Sequence, residues 1–172
     1  MNKKVIITNG SGTSGKDSFV KCINEVKPNF VYKYSSIDLV KRASKILGWD
    51  GEKTEKDRKF LSDMKILATK YNDSPFNDIK AIVKDFNEDK INTKILMIDI
   101  REPEEIARAV QEFNAISVLI KRKNAKKITS NMADANVENY KYDYIINNDG
   151  TLKDLKAKAI TFIQELEELD NE

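Results

Sequence analysis

The sequence predicts a three-layer α/β/α fold built on a five-stranded parallel sheet, and three observations carry that expectation. Five short runs of β-branched and aromatic residues alternate with stretches whose apolar residues recur at helical spacing. The first run passes through a Gly- and Ser-rich turn directly into a helical pattern. The 172 residues, 40% apolar and 34% charged, suit one domain spanning 1–172. Such alternation is what parallel strands need, since each crossover must return over a sheet face as a helix.

The opening run is Val5-Ile6-Ile7, and the helix after the turn places Phe19, Cys22, Ile23 and Val26 on one face. Between them Gly10, Ser11, Gly12, Thr13, Ser14, Gly15 and Lys16 satisfy G-x-x-x-x-G-K. Glycines let backbone N–H groups turn inward around an anion, and the helix N-terminus adds partial positive charge, so this loop is expected to cradle a polyphosphate with Lys16 on its β- and γ-phosphates. Asp17 stands where the usual pattern has a magnesium-ligating Ser or Thr, with Ser18 one place further on. Magnesium is expected, with Asp17 or Ser18 serving it. The run Gly15-Lys16-Asp17-Ser18 resembles the loops of phage-type deoxynucleoside monophosphate kinases and of animal-type phosphomevalonate kinases.

Pro28 ends the first helix, and Phe30-Val31-Tyr32-Lys33-Tyr34 reads as the second strand. Ser35, Ser36 and Asp38 follow as caps of a helix carrying Leu39, Val40, Ala43, Ile46 and Leu47 toward Gly48. Polar residues at a strand's carboxyl end are also where open α/β sheets bind ligands. The run Ser36 to Arg42 looks like the segment of adenylate-kinase-type enzymes that sets an acid and a base on the acceptor, which implies substrate contacts by Ser36, Asp38 and either Lys41 or Arg42.

Gly48-Trp49-Asp50-Gly51 reads as a turn, and Thr54 with Asp57 caps a helix with Phe60, Leu61, Met64, Leu67 and Ala68 inward. Ser74-Pro75 starts another, striped by Phe76, Ile79, Ile82, Val83 and Phe86. These helices interrupt the alternation and predict a helical acceptor lobe over about 36–90. The Trp49 segment and Arg58-Lys59-Phe60 resemble the acceptor side of the phage-type kinases, which implies Arg58 as an acceptor contact. As residues alone, Arg58 also fits a solvated helix face and Trp49 a packing role.

Lys94 to Ile98 is the third strand, closed by Asp99, a carboxylate placed to serve the metal beside the loop. Asp99-Ile100-Arg101, with the acids after Pro103, resembles the Asp-x-Arg element of the phage-type kinases and implies a catalytic and acceptor-binding role for Arg101. Ile116 to Ile120 is the fourth strand; the basic run Lys121 to Lys127 is expected to open a short lid over about 121–137, with Arg122 on the transferring phosphoryl group. A solvated loop or weak nucleic-acid contact would use the same residues. Tyr142 to Ile146 gives the fifth strand, and Thr151 with Asp154 caps a last helix with Leu152, Leu155, Ala159, Phe162, Ile163, Leu166 and Leu169 inward.

Thirty basic and 28 acidic residues leave a net charge of +2, which gives no reason to expect nucleic acid as an obligatory partner. No apolar run reaches the roughly 18 residues a membrane span needs, so a cytoplasmic protein is expected. The single Cys22 excludes an internal disulfide, and the absence of histidine excludes imidazole catalysis. The resemblance implies ATP- and magnesium-dependent phosphoryl transfer to a nucleoside monophosphate, catalysed by Lys16, Asp99, Arg101 and Arg122. A phosphomevalonate kinase and a nucleotide-binding module without turnover are the alternatives.

Overall fold

A computed structural model of the protein describes residues 1–123, 125 and 139–170. In chain order the elements are β1 (Lys4–Asn9), α1 (Lys16–Val26), β2 (Val31–Ser35), α2 (Asp38–Ile46), α3 (Glu55–Asn72), α4 (Ser74–Asn87), β3 (Ile95–Asp99), α5 (Pro103–Phe113), β4 (Ile116–Lys121), β5 (Tyr144–Asn147) and α6 (Leu152–Glu168). All strand pairs are parallel, in the order β2-β3-β1-β4-β5. The predicted three-layer sheet architecture is present.

Strand alternation explains how the layers are held. Val5, Ile7, Leu96, Ile98 and Leu119 face one side, where Phe76, Ile79, Val83 and Phe86 of α4 and Ile106 and Ala109 of α5 cover them. Ile6, Ile95, Met97, Val118 and Ile120 face the other, beneath Phe19, Cys22 and Ile23 of α1 and Leu155, Ala159 and Phe162 of α6. Residues one apart in a strand serve opposite cores, so both kinds must be apolar. β1 lies at the centre, and its two neighbours β3 and β4 bring their carboxyl ends beside its own. That is the crevice position for a ligand in an open sheet.

Both expected capping boxes are formed, Thr54 with Asp57 and Thr151 with Asp154. Three expectations shift. β5 starts at Tyr144 because Asp143 leaves the ladder to accept hydrogen bonds from the Ser117 amide (2.8 Å) and hydroxyl (2.7 Å). At helix ends Val26, Leu152 and Leu169 are exposed rather than inward. So are Ile46, Leu47 and Leu67. The reason is that α2 and α3 pack with each other and with α4 beyond the sheet, so each has too few neighbours to cover a full stripe. The only side chain α3 buries fully is Lys65.

Candidate functional site

The loop between β1 and α1 is shaped by two close approaches. Gly10 lies against the Ile120 carbonyl, where a Cβ would stand 2.4 Å from the oxygen. Gly15, the N-cap of α1, has φ 103°, and its Cβ would stand 2.3 Å from Asn148 Nδ2. That Asn148 amide donates to the Ser14 carbonyl at 2.8 Å, tying the loop to the turn after β5. No side chain caps α1, so its first-turn N–H groups stay open toward the loop. The Ser14 hydroxyl is buried with no hydrogen-bond partner. An uncapped helix start, a glycine cradle and an orphaned hydroxyl fit a phosphate group.

Lys16 lies across this loop, donating to the carbonyls of Gly10 (2.6 Å) and Ser11 (3.3 Å). Burial lowers its pKa; Asp99 opposes the shift, while Arg101 and Lys33 reinforce it. Asp99 is held by Thr8, whose hydroxyl donates to Oδ1 at 2.5 Å. Its other oxygen pairs with Lys33 Nζ at 2.9 Å, and the same ammonium pairs with Asp17 Oδ1. The Lys33 hydrogen bond is the chief cause holding Asp17 below the usual carboxylate range. For Lys33, burial pulls the pKa down, but Asp99 and Asp17 together outweigh it and raise it. Asp17 and Asp99 thus already share one cation, and they are the residues that would hold magnesium; Ser18 is exposed beside them.

A cleft of about 360 Å³ opens over the loop, lined by Thr13 to Ser18, Arg122, Asn148, Gly150, Thr151, Leu152 and Leu155. Arg122 therefore shares a wall with Lys16. The expected lid, 121–137, otherwise lies outside the described residues apart from 121, 123 and 125. The expected lobe region, 36–90, holds α2, α3 and α4.

The acceptor residues divide into two groups. Ser36 and Arg101 are tied by their backbones to the ends of β3 and β1: the Ser36 amide donates to the Asp99 carbonyl at 3.0 Å, and the Arg101 carbonyl accepts from Asn9 Nδ2 at 3.2 Å. Asp38, Lys41, Arg42 and Arg58 make mostly local bonds. Asp38 accepts from the Ser35 amide (2.9 Å) and pairs with Lys41 (2.8 Å); Arg42 bonds the Tyr34 hydroxyl (2.9 Å) and Asp78 (2.8 Å); Arg58 donates to the Lys53 carbonyl (3.1 Å). Burial and the bond to Asp78 push the Tyr34 hydroxyl up to about 12.

Sequence reasoning passed over Lys33, Lys65, Glu102, Glu105 and Asn148. Lys65 bridges Glu102 (2.8 Å), Glu105 (2.6 Å) and the Ser36 hydroxyl (3.2 Å), joining α3 to the end of β2 and the start of α5. Burial, and the hydrogen bond the protonated Glu105 carboxyl donates to Glu102, raise Glu105 to about 7 against the pull of Lys65, while Glu102 is lowered. One carboxylate takes the lysine's charge and the other keeps its proton. The available signal was position: Lys65 follows Leu61 by four in the inward stripe of α3, and Lys33 shares an inward register with Val31.

The chain has an α/β fold with a glycine loop between its central strand β1 and α1. The sequence matches no protein-family model and no curated protein. Among solved structures it is similar to TT1252 from Thermus thermophilus, at 12% identity and TM-score 0.51, covering 96% of this chain and 99% of that one, which shows a shared fold. A shikimate kinase from Aquifex aeolicus (12% identity, TM-score 0.48, 94% and 96% covered) and a thymidylate kinase from Ehrlichia chaffeensis (14%, 0.44, 95% and 99%) also match.

Proposed function

We propose that this chain is a phosphotransferase that moves the γ-phosphoryl group of ATP to the phosphate of a nucleoside monophosphate. The observation that carries the reading is the half-buried Lys16 ammonium lying across an uncapped glycine loop, near Asp99 at the end of β3. Lys16 would bind the outer phosphates and Arg122 would neutralise charge on the moving group from the cleft wall. Ser36 and Arg101, on the far side of Asp99, would orient the acceptor phosphate, with Asp38, Lys41, Arg42 and Arg58 as outer contacts from the helical lobe. Magnesium, held by Asp17 and Asp99 with Ser18 beside them, would screen the phosphate charge. An acceptor that is already a phosphate needs no base, so positioning and charge neutralisation suffice in a chain without histidine.

The test is ADP release from ATP and magnesium over ribo- and deoxynucleoside monophosphates, with phosphomevalonate included. Turnover on a nucleotide that collapses in Arg101→Ala supports the proposal. Activity on phosphomevalonate alone replaces it with a metabolite kinase, and tight ATP binding without turnover replaces it with a binding module.

A further inference from the structure

Lys33 occupies a position that a sheet of this kind ordinarily fills with an apolar residue. By the alternation of β2 it shares the α1 side of the sheet with Val31, in a layer otherwise made of Ile6, Ile95, Met97 and Phe19. Its side chain is only 24% exposed, and the ammonium ends between Asp17, at the start of α1, and Asp99, at the end of β3. Placing a lysine stem there is unfavourable unless its charge is matched on arrival.

The match has a reason in the loop itself. A phosphate loop of the usual pattern has a neutral hydroxyl after its lysine; here Asp17 adds a negative charge at the mouth of an anion site. The charges acting on Lys16 are those of Asp99, Arg101, Lys33 and Asp17. Removing Asp17 and Lys33 together would leave the net charge of this group unchanged, whereas removing Lys33 alone would leave two carboxylates, Asp17 and Asp99, against the single cation Arg101.

We propose that Lys33 is the compensating cation of Asp17, a positioning residue that lets a carboxylate stand in the phosphate loop without repelling the polyphosphate. The pair Asp17–Lys33 takes the place of the usual hydroxyl. The proposal rests on the loop's binding ATP but not on any acceptor or on turnover.

The experiment is calorimetric titration of the full-length protein with ATP, with EDTA present and no acceptor, at low salt. Lys33→Met should weaken binding by about tenfold or more, since a cation is lost at close range while Asp17 remains. The double variant Asp17→Ser with Lys33→Met should return to within about threefold of wild type, and Lys33→Arg should stay within the same range. A purely structural lysine would not be rescued by removing an acid. Binding by Lys33→Met equal to wild type, or no recovery in the double variant, overturns the proposal. Circular dichroism melts of each variant separate a folding defect from a binding defect. Wild-type ATP binding without turnover on any acceptor would remove the kinase reading and leave this one intact; no ATP binding by wild type would remove both.

Discussion

Lys16 donates to two loop carbonyls in a half-buried setting, so its charge is held in place before any ligand arrives. A preorganised cation of this kind acts mainly on charge that develops during transfer. Lys16→Ala should lower turnover about a hundredfold or more, near 3 kcal/mol; steady-state rates within about threefold of wild type would show that the loop does no chemistry. Glu105 has a consequence for stability. Its folded value of about 7 lies above the ordinary 4.5, so the folded chain holds this proton more tightly. Its stabilising contribution is complete below about 4.5 and is lost as pH rises through about 7. Melting temperatures taken from about pH 5 to about pH 8 should fall more for wild type than for Glu105→Gln, which keeps the shape without the titration. Parallel curves would remove the assignment. Asp17 works in the opposite sense: held below 3.8, it contributes above that pH and is lost in stronger acid.

At the scale of elements, helix ends are decided by a few local bonds. Thr54 accepts from the Asp57 amide at 3.2 Å while Asp57 accepts from the Thr54 amide at 3.0 Å. Thr54→Ala should destabilise the chain by about 1 kcal/mol in urea denaturation; no change would mean that α3 frays at this end. Local bonds of this sort are readable in sequence because both partners lie within one turn. The loop, both capping boxes and all five strands were legible for that reason, and the two-faced burial of parallel strands made them stand out as apolar runs. Lys33 and Lys65 were not legible. Each finds its partners on elements more than a dozen residues away, and a charged residue in an apolar stripe reads as a break in the pattern until the sheet order is known. The exposed Leu67 misled for the converse reason: helical spacing shows that a stripe exists but not whether another layer covers it.

At the scale of the molecule, the sheet order sets what can meet. β1 is central, so its loop touches residues from β3 on one side and from the β4 and β5 turns on the other. Residues far apart in the chain are thereby brought to one end of the sheet. Among the described residues no helix is long and apolar enough to cross a membrane.

A ribosome making this chain finishes the glycine loop early and its brace late. The Ser14 carbonyl waits 134 residues for the Asn148 amide, and the cleft above it has no far wall until Gly150, Thr151 and Leu155 are in place. A half-made chain therefore displays the motif without the cavity. The bond between Asn148 and the Ser14 carbonyl can form only once the residues after β5 are in place beside the loop.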